Sequence, residues 1–260
     1  MDIKIFDLHT DLLTFGFCDE VTVDLINKEN DDGNIMCLAL FTPDAKGDIS
    51  CYKNKCDKNR FCIEDCTNVN IKDLVNQKPF YASLTWNFNN EFAGGALEDG
   101  EISCRGISAI DEFNKNGIIL DLAHIGNKSF FKAIDKAEKV MISHACCNTV
   151  RTHYRNFTDE QIRLVLEKKG IMGICFVSEF LCENKKADVF DVAKHIDYFC
   201  NKFSHKNLAI GTDFYGTKNG LKGIDRYSDF NKLYDELSRL GYSHNSIQDI
   251  FFNNASAFHF

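Results

Sequence analysis

The stretch Gly117–His124, "GIILDLAH", carries the fold in miniature. Its apolar run is continuous, too short for a helix and rich in Ile and Leu. That is the pattern of a strand buried on both faces, and such strands pair in parallel. Segments of helical period flank it, Ile107–Asn116 before and Lys128–Ala137 after. A strand set between helices is the βαβ unit with its right-handed crossover.

Seven other runs share the pattern: "IKIFDLH" (3–9), "IMCLALF" (35–41), "FCIED" (61–65), "FYASLTW" (80–86), "KVMISHA" (139–145), "GIMGICFV" (170–177) and "LAIGTDF" (208–214). Helical patterns recur over Asp159–Lys169 and Val189–Lys202, and the chain closes with Tyr227–Leu240 and Ser246–Phe252. Thr158, followed by two acids, reads as a helix N-cap. Eight strand–helix units over 260 residues predict an α/β protein, a TIM-type (β/α)8 barrel spanning 1–260 as a single domain. The connections after the second and third runs leave little room for full helices. A doubly wound open sheet is the alternative; to bind nucleotides it needs a glycine-rich loop after its first strand, and "DLHTDLL" is not one.

An apolar content of 44% suffices for one sizeable core. The formal net charge is -8 with no basic run, which argues against a nucleic-acid partner. No apolar stretch approaches the length of a membrane span. Met1-Asp2-Ile3-Lys4 leads straight into a strand and lacks the regions of a signal peptide, so the expected location is the cytoplasm. Of 12 cysteines, Cys51, Cys56, Cys62 and Cys66 crowd one segment without paired C-x-x-C spacing. Reduced thiols are the expectation; a metal knot or disulfides are the alternatives.

The polar residues fall at the ends of these runs: His9 and Asp11 at the first, Glu64 at the third, His124 at the fifth, His144 at the sixth and Asp213 at the eighth. In a barrel, strand ends of one polarity meet at one rim, where the chemistry of such folds lies. A lone histidine there is more often a hydrogen-bonded core or rim residue than a ligand, and His153, His195, His205, His244 and His259 are read as non-ligands, surface or helix residues. The constellation says more than its members. Three carboxylates left unpaired would repel one another, and divalent cations remove that conflict. Imidazole and carboxylate together suit zinc best among first-row metals. The donor count favours two ions, with His9 and Asp11 gripping one from the same strand face.

These residues resemble the membrane (renal) dipeptidases and their bacterial relatives, zinc peptidases of the amidohydrolase-like barrels. The resemblance runs from "DLHTD" to "IFFNNASAF" and is strongest from "LTWN" onward, through "NKNGIILDLAHIG", "KVMISHACCNTVRTHYRNFTDEQIRLV", "GIMGICFV" and "AIGTDFYG". It implies a metal-dependent hydrolase barrel in which His9 and Asp11 hold one Zn2+, His124 and His144 hold the second, and Glu64 bridges them. It also implies that Arg155 pairs with the substrate's terminal carboxylate, that Asp213 contacts the substrate amine and shuttles a proton, and that the partner is a small dipeptide. Homodimers are common in the family.

Three departures stand out. Trp86 occupies the place of a substrate-binding histidine of the animal enzymes, as in some bacterial relatives, and reads as part of the pocket wall. Asp65 follows Glu64 where the family usually has glycine, which leaves Glu91 and Glu98 as weaker bridging candidates. The chain is also shorter before residue 80. The alternatives are a related metal hydrolase of another small amide, lactam or lactone, a catalytically impaired metal-binding homologue, and a redox or metal-storage protein built on the cysteine cluster. A nucleophilic Cys146 or Cys147 beside His144 is disfavoured, because a metal-bound imidazole cannot serve as its base.

Overall fold

Eight parallel strands close into a barrel in chain order: β1 Phe6–Thr10, β2 Ile35–Phe41, β3 Arg60–Glu64, β4 Tyr81–Ser83, β5 Ile119–Asp121, β6 Val140–Ala145, β7 Met172–Ile174 and β8 Leu208–Ile210. The structure is a computed structural model and describes residues 3–15, 20–45, 48–56, 58–183 and 186–258. Met1, Asp2, Cys18 and His259 lie outside the described residues. The barrel closes where Asp7 of β1 pairs with Ile210 of β8, which decides for the expected barrel over the open sheet.

The helices form where capping chemistry meets the apolar period. Ser103 caps Cys104–Asn116, and Gly117 ends that helix at φ +70°. The first residue of "GIILDLAH" is thus a helix stop, in a left-handed conformation that costs glycine least. Thr158 and Gln161 form a reciprocal capping box on Asp159–Glu167. Asp188 and Asp191 do the same for Val189–Lys202. The connection from β2 to β3 holds only the short turns Thr42–Asp44 and Ser50–Lys53, and that from β3 to β4 holds Ile71–Asn76. A helix at Glu20–Asp31, which the sequence pattern did not single out, joins β1 to β2. No helix among the described residues is long and apolar enough to cross a membrane.

Two apolar layers hold the barrel. Phe6, Leu8, Cys37, Ala39, Cys62, Tyr81, Ile119, Met141 and Ala209 form one buried cluster drawn from most of the strands. A larger one packs the other strand face, including Leu38, Ile63, Leu120 and Ile142, against helix residues such as Ile110, Phe130 and Val165. Cys56, Cys62 and Cys66 are buried and Cys51 is exposed. Burial raises the thiols of Cys56, Cys62 and Cys66, with Cys56 near 12.

Two strands carry an irregularity in register, β1 between Asp7 and Thr10 and β6 between Ile142 and Ala145. Such faults re-aim side chains. On a regular strand Asp7 and His9 would share a face. Here Asp7 accepts from the Thr212 backbone N–H, the Thr212 hydroxyl and the Tyr227 hydroxyl, while His9 meets Tyr81, Glu64 and His144. Asp7 also accepts from the His9 N–H at 3.1 Å, so one buried carboxylate fastens β1 to the segment after β8. Burial raises its pKa, and these donors oppose the rise. Asp7→Ala strands several buried donors at once. It is expected to cost about 3 kcal/mol or more, read as a lower urea midpoint at unchanged m-value.

Candidate metal centre

Each of the three predicted ligand histidines is held by Nδ1 and presents Nε2. His9 Nδ1 lies 2.8 Å from the Tyr81 hydroxyl, which donates onward to the Leu8 carbonyl at 3.1 Å. His124 Nδ1 lies 2.9 Å from Asn87 Oδ1. His144 Nδ1 lies 2.8 Å from Ser143 Oγ, which donates to Asp121 Oδ2 at 2.5 Å. In all three cases the partner oxygen is left as acceptor, so Nδ1 carries a proton and, in the neutral ring, Nε2 the lone pair. That tautomer is the one a metal requires.

The three Nε2 atoms converge on carboxylates. Glu64 Oε1 lies 2.8 Å from His124 Nε2 and 3.9 Å from His144 Nε2, and its Oε2 lies 3.8 Å from His9 Nε2. Asp11 Oδ2 is 3.5 Å from His9 Nε2. Glu64 therefore stands between the two halves of the cluster, one oxygen toward each. Three overlapping groups each gather donor atoms within 4.8 Å: His9, Asp11 and Glu64; Glu64, His124 and His144; His9, His144 and Asp213. Glu91 and Glu98 lie elsewhere, accepting from the Asn68 and Asn89 backbones.

The donors fit a metal on physical grounds. His9 Nε2 is fully buried and makes no hydrogen bond. His124 and His144 bring their Nε2 atoms to 2.9 Å from each other, so two lone pairs face each other unless a proton or a cation lies between. Burial opposes charge on His9, but the Asp11, Glu64 and Asp213 carboxylates override it and lift its pKa to about 10. Burial, then the neighbouring Asp11 charge, raises both Glu64 and Asp213 well above the carboxylate range. Burial lowers His124 and His144, which stay neutral.

Backbone conformation marks the same residues. His124 and Asp213 adopt φ +67° and +61°, left-handed values uncommon outside glycine and found at functional sites. Asp65 is at φ +62°, which is where a glycine would sit with ease. Its carboxylate offsets the cost by accepting from Thr67 N at 2.8 Å, Thr67 Oγ1 at 2.7 Å and Asn90 Nδ2 at 2.9 Å. Aspartate at this position is thus compatible with Glu64 in the centre. At Gly216 a Cβ would come within 2.1 Å of Asp11 Oδ2 and 2.3 Å of Asp213 Oδ1, so the chain passes too close for any side chain.

A cavity of about 650 Å3 opens over the centre, with Asp11, Glu64, His124 and Asp213 among its lining and Trp86 on its wall. Arg155 lies deeper and is only 1% exposed. Its Nη2 donates to the His144 carbonyl at 3.3 Å, its Nε has no partner, and its guanidinium covers the Phe180 ring at 5.2 Å. Burial lowers its pKa, although the surrounding acids favour its charge. His195 is not a surface residue. It sits on its helix fully buried, receiving the Cys147 N–H at Nδ1 and facing the Leu181 carbonyl with Nε2. His153 is half-buried against Tyr154 and Phe180, and His244 pairs with the Tyr234 hydroxyl. The residues that orient the imidazoles, Tyr81, Asn87, Ser143 and Asp121, escaped the sequence reading. Only Asp121 left a signal, as an acid inside an apolar run.

An eight-stranded parallel barrel with such a cluster at the C-terminal ends of its strands is a TIM-type barrel with a candidate metal centre. The model of the membrane dipeptidase family (Peptidase family M19) matches residues 70–256, and the chain belongs to that family. The match begins after β3, so the strands bearing His9, Asp11 and Glu64 lie outside it. Dipeptidase aclJ of Aspergillus oryzae is 32% identical over 172 residues, 63% of this chain and 40% of that protein. Dipeptidase verJ of Clonostachys rogersoniana is 30% identical over 176 residues, 65% of this chain and 45% of that protein. The chain thus matches less than half the length of these relatives. Among solved structures, the dipeptidase AC, a family M19 metallopeptidase, superposes with a TM-score of 0.83 at 16% identity, covering 98% of this chain and 97% of that one. A metallopeptidase from Rhodobacter sphaeroides, liganded with a phosphinate mimic of L-Ala-D-Ala, has a TM-score of 0.77 at 15% identity over 97% of each chain. Both support the barrel fold.

If Ser143 orients His144, Ser143→Ala should weaken metal binding about 10–100-fold, measured by competition with a chromogenic chelator. Ser143→Thr should restore most of that affinity.

Proposed function

We propose that this protein is a metal-dependent dipeptidase. One observation carries the reading: a single rim, buried except for the half-buried Asp213, holds three Nε2-presenting imidazoles and three carboxylates in overlapping groups within 4.8 Å. In this reading His9 and Asp11 would hold one zinc ion and His124 and His144 a second, with Glu64, whose two oxygens face the two halves of the cluster, available to both. Bound there, the metal supplies an acidified water as nucleophile and a Lewis acid for the peptide carbonyl.

The chain's own groups do the rest. Arg155 supplies the positive charge that receives the substrate's terminal carboxylate, since its planar fork suits bidentate pairing. Its Nε, buried without a partner, is a donor in want of an acceptor. Burial and the neighbouring Asp11 charge raise the proton affinity of Asp213, the direction that suits a general acid/base. It accepts a proton from the attacking water and delivers it to the leaving amine. Trp86 contributes the apolar wall that Phe41 extends. The apolar surroundings exclude bulk water and strengthen each of these charge interactions.

Elemental analysis of the purified protein tests the centre, with two zinc equivalents per chain expected. His124→Ala should lose about one of them together with dipeptide hydrolysis, and unchanged metal content would remove the second site. Arg155→Ala should raise KM for dipeptides with a free C-terminus far more than for amidated ones. An equal effect on both would end its assigned role.

A further inference from the structure

The charges around the cavity are divided by side. Lys186 and Lys218 line it from the segments after β7 and β8. Arg155, after β6, is buried on that side against Phe180. Asp44, after β2, lines the opposite side, and among the described lining residues Asp213, after β8, and Asp225 run against the division. A substrate with a free carboxylate lies with that end toward the cations. Its amino-terminal residue then faces the segments after β2 and β4.

There the wall is aromatic. The Trp86 ring lies 5.7 Å from Phe41, 5.6 Å from Phe88 and 6.0 Å from His124. Trp86 therefore lies between the metal centre and the exposed Phe88 ring. The loop that carries it is fastened from beneath. The Asp65 carboxylate accepts from Thr67 and Asn90, and the nearby Trp86 backbone favours its ionised form. Asn90 also donates to the Leu84 carbonyl at 2.8 Å and accepts from Phe92 N and Ala93 N. A rigid aromatic surface binds an apolar group with little ordering cost.

Within the dipeptidase reading above, on which this rests, we infer that Phe41 and Trp86 form the seat for a large apolar or aromatic side chain on the substrate's N-terminal residue. The preferred substrates are then dipeptides of the type Phe-Xaa, while small N-terminal residues leave the seat empty. Trp86 and Phe41 determine specificity. Asp65 is a positioning residue that acts through the Trp86 loop.

Kinetics on the metal-loaded protein test this with Phe-Ala, Ala-Phe and Ala-Ala. The expected kcat/KM for Phe-Ala exceeds that for Ala-Ala about tenfold or more, with a smaller gain for Ala-Phe. Trp86→Ala should bring the Phe-Ala to Ala-Ala ratio close to one, and Trp86→Phe should keep most of it. Equal rates for the two substrates, a larger gain for Ala-Phe, or a ratio that survives in Trp86→Ala with metal content intact would overturn the seat. Trp86 is the one tryptophan in the chain, so its fluorescence reports on the seat directly. Titration with phosphinate mimics of Phe-Ala and Ala-Ala should shift its emission and show about tenfold tighter binding of the former. If no dipeptide is cleaved, the dipeptidase reading fails, yet this titration still decides the seat: equal affinities or unmoved emission would reject it.

Discussion

Three carboxylates gathered beside three imidazoles are the constraint on which the rest of this molecule depends. Asp11 and Glu64 are buried and Asp213 is half-buried at the floor of the cavity, and Gly216 lets the chain close over two of them. Burial and the neighbouring Asp11 charge raise the proton affinity of Glu64 and Asp213, and the carboxylates draw a proton onto His9 as partial compensation. A divalent cation compensates more fully than one proton. The cluster is thus costly for folding and well suited to binding metal.

The barrel absorbs that cost by satisfying polar groups around the centre. Asp7 and Asp121 have related tasks in different strands. Each is buried, each accepts several donors, and each fastens neighbouring segments near a histidine: Asp7 joins β1 to Thr212, and Asp121 joins β5 to Ser143. The register faults on β1 and β6 fall beside these same fasteners. Local irregularity and strong hydrogen bonding together aim His9 and His144 inward. The left-handed conformations of His124 and Asp213 do comparable work at the ends of two other strands.

Asp65 and Trp86 depart from the pattern that the resemblance implies, and the structure connects them. Asp65 adopts the left-handed conformation itself and uses its carboxylate to hold the loop that presents Trp86. A change at one position therefore bears on the other. The short connections around β2, β3 and β4 leave this aromatic side of the cavity lined by few residues, chiefly Phe41, Trp86 and Asn87.

Much of the architecture was legible in the residue order. Eight apolar runs of strand length, separated by helical periods, imply parallel strands buried on both faces, and their number favours a barrel over an open sheet. The same runs ended in His9, Asp11, Glu64, His124, His144 and Asp213, so parallel pairing alone brings them to one rim. What the order of residues could not supply was direction within that rim. Strand period would have put Asp7 and His9 on one face, and only the fault in register separates them. Nor could it say which oxygen or hydroxyl holds each Nδ1, since Tyr81 lies 72 residues from His9 and Asn87 lies 37 from His124. His195 shows the same limit, because a histidine on a helix looks alike from the sequence whether it faces solvent or a buried backbone. Periodicity is a local property and was determined by the sequence alone. Hydrogen-bond partnership across the barrel is a property of closure, and only the tertiary structure decided it.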